Sequence, residues 1–194
     1  MRQIGCLLYV RPHRPHMEEL KSFSTLLEPD ERWANFVLRN PSTNEMRPVS
    51  LNDRYEPIAG ITLSPSAPED VRSQFNIALM LGVYAWLYYP FHQVAELKAF
   101  STVEMALRLR LPETKGGLKK LLSVAIKQGV IADQGFSHIE GDGETPTRYS
   151  AQLPSLVSSL RNELAHGSHM LHPGSLFTLR NCAEIINQLF QEDK

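Results

Sequence analysis

The chain has 194 residues, of which 42% are hydrophobic and 21% charged, a balance typical of a globular protein with one domain and room for an extension. Its formal net charge of -1 excludes an overall basic excess, so any contact with RNA must come from a local patch. The two cysteines argue against a disulfide framework, and no apolar run reaches membrane-spanning length, so we expect a cytoplasmic protein without a membrane partner.

Residues 1–64 carry weak patterns and are interpreted as an N-terminal extension. Residues 4–10 form either a short strand or a disordered start, and they are too few for the core of a signal peptide. The turn-forming run 40–44 (Asn-Pro-Ser-Thr-Asn) separates two apolar runs and predicts a β-hairpin. Weaker patterns indicate a helix at 17–27 and an extended piece at 58–63. The apolar stripes of the later helices are complete without this extension, so we expect it to be dispensable for folding.

Residues 65–194 show the apolar spacing of helices. Ser66 and Glu69 have the Ser-x-x-Glu spacing of a capping box, which predicts the start of the first helix. Pro90 separates that helix from the second, and Gly129 ends the third. The first predicted helix ends near residue 88. The later ones occupy residues 91–111, 118–128, 153–166 and 175–190. Between the third and fourth, residues 131–150 are rich in glycine and polar residues and predict a long mobile loop.

The helix predicted at 153–166 is the most informative stretch of the sequence. Gly167 is the expected left-handed residue just past its end. Asn162 and His166 are four residues apart and share a face, and Arg161 lies at the border of that face with the reach to join them. This face lies roughly opposite an apolar stripe made of Leu156, Val157, Leu160 and Leu164.

The pattern Arg161-Asn162-x-x-x-His166 resembles the signature of the HEPN superfamily (higher eukaryote and prokaryote nucleotide-binding domains). That signature is an arginine, a polar residue and a histidine near the end of a helix. The resemblance covers residues 65–194 and implies an all-α, antiparallel helical bundle. It also implies a metal-independent endoribonuclease that acts as a toxin or antiviral defence effector, in which two protomers of a homodimer bring their motifs together. Some members are non-catalytic, so the alternative is a module that binds a nucleotide, RNA or a partner protein such as an antitoxin.

The predicted catalytic residues are Arg161, His166 and Asn162, with no cofactor and no metal. Histidine is the residue type that transfers protons near neutral pH, so His166 suits a general base or acid. Arg161 can donate two N–H groups to phosphate oxygens, and Asn162 can orient His166 or the phosphate. In similar proteins an inward acidic or polar residue often comes from the helix ahead of the motif. Glu104 is our candidate for that supporting role, and Glu96 is the competing one.

Three further patterns involve lysines, histidines and a cysteine. Lys115, Lys119 and Lys120 form either a phosphate-binding patch for RNA or a solvated helix face. His166, His169 and His172 could bind a metal only through a turn, because Gly167 breaks the helix between them. Cys182 falls on the apolar stripe of the last helix, which predicts a buried free thiol rather than a reactive one.

Overall fold

The structure of the protein is a computed structural model that describes the backbone of residues 6–9 and the whole of residues 18–139, 147–167 and 174–191. Within those ranges the chain is mostly helical, as predicted. The α-helices are α1 (Leu51–Ala59), α2 (Glu69–Tyr84), α3 (Phe91–Arg110), α4 (Leu118–Lys127), α5 (Leu153–Ala165) and α6 (Leu176–Leu189). Three short strands are β1 (Cys6–Tyr9), β2 (Phe36–Arg39) and β3 (Met46–Pro48).

Helix α3 is the centre of the bundle, and it packs against α2, α4, α5 and α6. Its buried side is built largely from small residues, including Ala95, Ala99 and Ala106, which are fully buried. Small side chains let neighbouring helices approach closely, while Phe100, Val103 and Leu107 fill the spaces between them. One continuous apolar core therefore joins α2 to α6.

The predicted helices after Pro90 agree with α3, α4, α5 and α6 to within one or two residues. Gly129 and Gly167 follow α4 and α5 with φ angles of 73° and 86°, the left-handed conformation in which glycine has no steric penalty. Cys182 is 1% exposed on α6, as its place on the stripe predicted, and burial raises the pKa of its thiol.

The start and end of α2 differ from the prediction. The capping box of Ser66 and Glu69 is wrong: Pro68 occupies the cap position and no side chain caps the helix. The N–H of Ser66 donates instead to the hydroxyl of Ser64. The helix ends at Tyr84, and residues 85–87 form turns ahead of Pro90, which lacks the N–H that a continuous helix would need.

The N-terminal extension contains the predicted hairpin and one helix that the prediction missed. β2 pairs antiparallel with β3 across the turn and with β1 on its other side. The extended piece expected at 58–63 is wrong in its first half, because α1 runs to Ala59. A reciprocal capping box of Ser50 and Asp53 begins α1, and it is the same motif with aspartate in place of glutamate. A helix was expected at 17–27, but the described part of that range contains only a short 3-10 helix, at Phe23–Thr25.

The extension packs on the bundle through a second, aromatic cluster. Trp33, Phe36, Val49 and Tyr89 are its buried members. The indole N–H of Trp33 donates to the carbonyl of Ala85 at 3.2 Å, and the Asp30 carboxylate accepts the N–H of Tyr89 at 2.8 Å. The aromatic end of the first predicted helix therefore serves as packing surface for residues 30–49.

Parts of residues 131–150 are fixed rather than mobile. Ile131 and Phe136 are buried in the main core. The Asp133 carboxylate accepts the backbone N–H groups of Tyr149 and Ser150, both at 2.7 Å, and thereby ties residue 133 to the residues that lead into α5. The glycine-rich residues 140–146 lie outside the described part of the chain.

Candidate functional site

Helix α5 carries the predicted motif, and its buried stripe is narrower than expected. Leu153 and Val157 are buried, and Leu160 and Leu164 are half-buried against the main core. Leu156 was predicted to be on this stripe, but it is 51% exposed. At about 100° per residue Leu156 lies at one edge of the stripe and Arg161 at the other, and α5 packs toward the edge of Arg161. Arg161 and Asn162 therefore border α3 and α4, together with which they line a groove.

A groove of about 540 Å³ lies between α3, α4 and α5. Its charged residues are Lys119, Lys120 and Arg161, opposed by Glu104. The groove thus has three positive charges and one negative charge in a chain whose net charge is -1. The remaining described lining residues are Gly117, Leu118, Ser123, Ser158 and Asn162.

Arg161 is held at the edge of the groove by weak contacts. One terminal nitrogen, Nη2, lies 3.8 Å from Oε2 of Glu104, and Nη1 donates to Oδ1 of Asn162 at 3.3 Å. Its Nε is buried and has no hydrogen-bond partner among the described residues. A guanidinium with such loose contacts retains donors for an incoming oxyanion.

Glu104, and not Glu96, faces the motif. Glu104 lines the groove and its Oε1 accepts a 2.6 Å hydrogen bond from Arg108, one helical turn along α3. Glu96 is 3% exposed and accepts a 2.7 Å hydrogen bond from the hydroxyl of Thr178 on α6. Glu104 therefore lies between two arginines, and Glu96 joins α3 to α6. A smaller depression of about 350 Å³ lies on the far side of Glu104 and Arg161.

The N-terminus of α4 opens into the groove. Gly117 is its cap residue, and no side chain caps the helix. The first N–H groups of α4 that donate within the helix are those of Lys120 and Leu121, which both donate to the carbonyl of Gly117. The N–H groups of the residues before Lys120 therefore have no partner within the helix. The positive end of the helix dipole therefore adds to the charge of Lys119 and Lys120. Lys115 is exposed and is not among the described residues that line the groove.

His166 ends α5 and is exposed. It is not among the described lining residues of the groove, so Arg161 and Asn162 meet there without it. His169 and His172 lie outside the described residues. In the ranges that the structure describes, no group of three or more histidine, cysteine, aspartate or glutamate side chains is arranged to hold a metal ion.

Two serines of the groove were not singled out in the sequence. Ser158 lies on α5 one turn before Asn162, and its buried Oγ has no partner among the described residues. Ser123 lies on α4, one turn after Lys119, and its hydroxyl donates to the carbonyl of that lysine. The four-residue spacings Ser158–Asn162 and Lys119–Ser123 were visible in the sequence, but only the packing of α4 on α5 brings them together.

Searches of protein-family models, curated proteins and solved structures found no match to this chain. Among its described helices, none combines the length and apolar character needed to cross a membrane.

Proposed function

We propose that the protein is a metal-independent endoribonuclease of the HEPN type, whose active site combines the groove with His166. The observation that supports the proposal is the charge of the groove, where Arg161 lies beside Asn162 and Glu104 and opposite Lys119 and Lys120. Phosphate contacts dominate the affinity of proteins for nucleic acids, and a groove with a local excess of cations suits a strand of RNA phosphates.

Arg161 is the residue that stabilises the transition state in this proposal. Cleavage passes through a pentacoordinate phosphorane, which carries more negative charge on its oxygens than the substrate does. A forked guanidinium matches two of those oxygens. Glu104 holds the guanidinium only at 3.8 Å, so the phosphate can replace that contact while Glu104 remains paired with Arg108.

The nucleophile is the 2′-OH of the RNA. His166 takes the 2′-OH proton, O2′ bonds to phosphorus, and the bond from phosphorus to O5′ breaks. The leaving O5′ takes a proton from a general acid. The products are a 2′,3′-cyclic phosphate and a 5′-OH end, and the reaction consumes no metal, oxidant or cofactor.

Base and acid are separate tasks, and one His166 per chain supplies one of them. We propose that a second copy of the chain supplies the other, with the two motifs facing each other across a two-fold axis. The exposure of Asn162 and His166 supports this arrangement, because both are accessible at the surface of one chain. A toxin or defence effector is the proposed biological role.

The test is cleavage of mixed RNA by the purified full-length chain in EDTA. Arg161→Ala should lower the rate by roughly 10²–10³, since a charge-stabilising donor is lost, and His166→Ala by roughly 10²–10⁴, since proton transfer is lost. Both variants should keep their melting temperature, because neither side chain fills the core. Arg161→Lys should restore little activity, because an ammonium lacks the fork.

Matched controls are Arg180→Ala, an exposed arginine on α6, and His138→Ala, and both should remain active. Activity that disappears in EDTA and returns with zinc would overturn the proposal in favour of His166, His169 and His172. Wild-type protein that binds RNA without cutting it would favour the non-catalytic binding module.

A further inference from the structure

Arg54 of α1 is a buried guanidinium without an anionic partner in the part of the chain that the structure describes. The residue is 8% exposed, and its Nε and Nη2 are buried with no hydrogen-bond partner among the described residues. Arginine stays protonated in proteins, although burial lowers the pKa of Arg54 from its ordinary value. A buried charge is costly unless it is paired, so this position is unfavourable for a cation that has no oxyanion beside it.

The immediate neighbours of Arg54 do not neutralise it. Its Cζ lies 4.8 Å from the centre of the Trp33 ring, a cation–π contact that stabilises the charge without satisfying its N–H groups. On another side lies Gly174, where an added Cβ would be 3.2 Å from Nη2. The guanidinium therefore lies over the backbone of Gly174, one residue before the cap of α6.

The N-terminus of α6 is a second positive feature at the same place. Ser175 is the cap residue and makes no side-chain cap hydrogen bond to this helix of 14 residues. Its hydroxyl lies 2.9 Å from Nδ1 of His92 instead. The first hydrogen bond of the helix runs from the N–H of Leu179 to the carbonyl of Ser175. The N–H groups of the residues before Leu179 therefore have no partner within the helix. A positive helix end and a guanidinium side by side repel each other unless an anion lies between them.

The unpartnered atoms of Arg54 form one edge of the guanidinium, and Arg32 shows what that edge binds. Arg32 donates from Nε to Oδ1 of Asp30 at 2.7 Å and from Nη2 to Oδ2 at 2.8 Å. Two parallel N–H donors match two oxygens of one acid group. Arg54 presents the same pair of donors, and no acid among the described residues accepts them.

We propose that Arg54 and the N-terminus of α6 form a binding site for a phosphate group, either inorganic phosphate or a phosphomonoester. Phosphate fits better than a carboxylate, because its additional oxygens can accept the helix N–H groups while two others accept the fork. Gly174 has a φ of 141° and no side chain, so the Arg54 guanidinium can lie against the backbone that leads into α6. None of these residues lines the groove of the proposed ribonuclease site.

The test measures the melting temperature of the full-length protein in phosphate-free buffer at constant ionic strength. The added ligands are phosphate, a nucleoside monophosphate, acetate and, as a salt control, chloride. We expect phosphate to raise the melting temperature of the wild type by roughly 5–10 °C at a hundredfold excess over its dissociation constant. Arg54→Met, which keeps the volume but removes the charge, should abolish the rise, and Arg54→Lys should weaken binding at least tenfold, since its ammonium lacks the fork. Arg110→Met, at an exposed arginine that ends α3 and lies outside the groove, should keep the rise.

A wild-type readout covers the case in which Arg54→Met does not fold. The side-chain Nε–H signal of Arg54 in a nitrogen–proton spectrum, assigned by its absence from Arg54→Lys, should move as phosphate is added. A response to the monophosphate as well as to phosphate identifies a phosphomonoester site, and a response to phosphate alone identifies a free-anion site. The proposal is overturned if neither ligand moves the signal or the melting temperature. It is equally overturned if acetate acts as strongly as phosphate, or if Arg110→Met alone removes the rise.

Discussion

Asp133 shows how a single carboxylate positions the motif helix. It is 5% exposed and accepts the N–H groups of Tyr149 and Ser150, which lead into α5. Burial alone would raise the pKa of Asp133, but these backbone hydrogen bonds outweigh burial and hold the pKa below its usual value. The residue that fixes the approach to Arg161 therefore lies 28 residues earlier in the sequence.

Asp133→Ala should lower the free energy of unfolding by about 3 kcal/mol, because two buried N–H groups lose a charged acceptor. Asp133→Asn keeps one acceptor oxygen and should lose less. Because the pKa is lowered in the folded state, the stabilisation is present above the usual carboxyl range of about pH 4 and is lost as the pH falls through the folded-state pKa. Urea unfolding at pH 7 and at pH 3 measures both effects. An equal difference between wild type and Asp133→Asn at the two pH values would contradict this role.

At the scale of elements, the groove results from the packing of α4 on α5. Each helix presents a face that would be ordinary in isolation: lysines on α4, and polar residues with one arginine on α5. The uncapped N-terminus of α4 and Lys119 and Lys120 meet Arg161 only because the two helices pack together. A solvated helix face and a phosphate-binding patch have the same sequence pattern, and only the position of the neighbouring helix shows that Lys119 and Lys120 line a groove with Arg161.

Lys119→Ala combined with Lys120→Ala should weaken RNA binding and reduce its salt dependence. Each phosphate contact that is lost lowers the slope of log affinity against log salt by about one. Lys127→Ala is the matched control, because this lysine is exposed at the other end of α4. Fluorescence titration at several salt concentrations measures both quantities. A double variant that keeps the wild-type slope would show that the lysines are only a solvated face.

At the scale of the whole molecule, the N-terminal extension packs against the helical bundle and is not a separate appendage. Ile58 is 2% exposed between α1 and its neighbours, and Ile61 belongs to the main core. Asn187 of α6 accepts the N–H of Ser64 and donates to the carbonyl of Thr62, so the last helix also holds the connection to α2. These contacts change what we expect from truncation.

Deletion of residues 1–60 should lower the melting temperature and make the thermal transition less cooperative, contrary to the expectation from the apolar stripes alone. The deletion removes the buried Ile58 and exposes Tyr89 to solvent. The truncated chain therefore buries less apolar surface at both places, and this loss lowers its stability. Calorimetry of the truncated chain is the measurement. An unchanged transition would restore the interpretation of residues 1–64 as an independent appendage.

We expect a homodimer with α5 at or near the interface. Leu156 is 51% exposed on that helix, and Asn162 and His166 are exposed toward its C-terminal end, so the exposed side of α5 offers both apolar and polar contacts. Light scattering should give twice the mass of the chain, and Leu156→Asp should shift it toward the monomer without lowering the melting temperature of the folded chain. A wild type that stays monomeric at micromolar concentration would remove the composite active site, though not the groove.

Local patterns in the sequence determined most of the helices, because apolar spacing and a glycine after the last turn depend on neighbours a few residues away. The limits of α3, α4, α5 and α6, the hairpin around residues 40–44 and the burial of Cys182 were predicted on that basis and are confirmed. The capping box was assigned to Ser66 and Glu69, although the same pattern with aspartate at Ser50 and Asp53 begins α1. A short motif therefore does not by itself fix the first residue of a helix, since α2 begins at Glu69 with Pro68 at its cap position.

Only the tertiary structure decided which side chains meet. It placed Glu104 beside Arg161 and buried Glu96 against α6, although both are carboxylates on the same helix. It exposed Leu156, which shares its helix with the buried Val157. It also brought Arg54 to Gly174 across 120 residues of sequence. Spacing along the chain determines which residues share one helix face, whereas the neighbour that a face packs against depends on the whole core. The composition of the groove and the proximity of Arg54 to Gly174 therefore could not be predicted from the sequence.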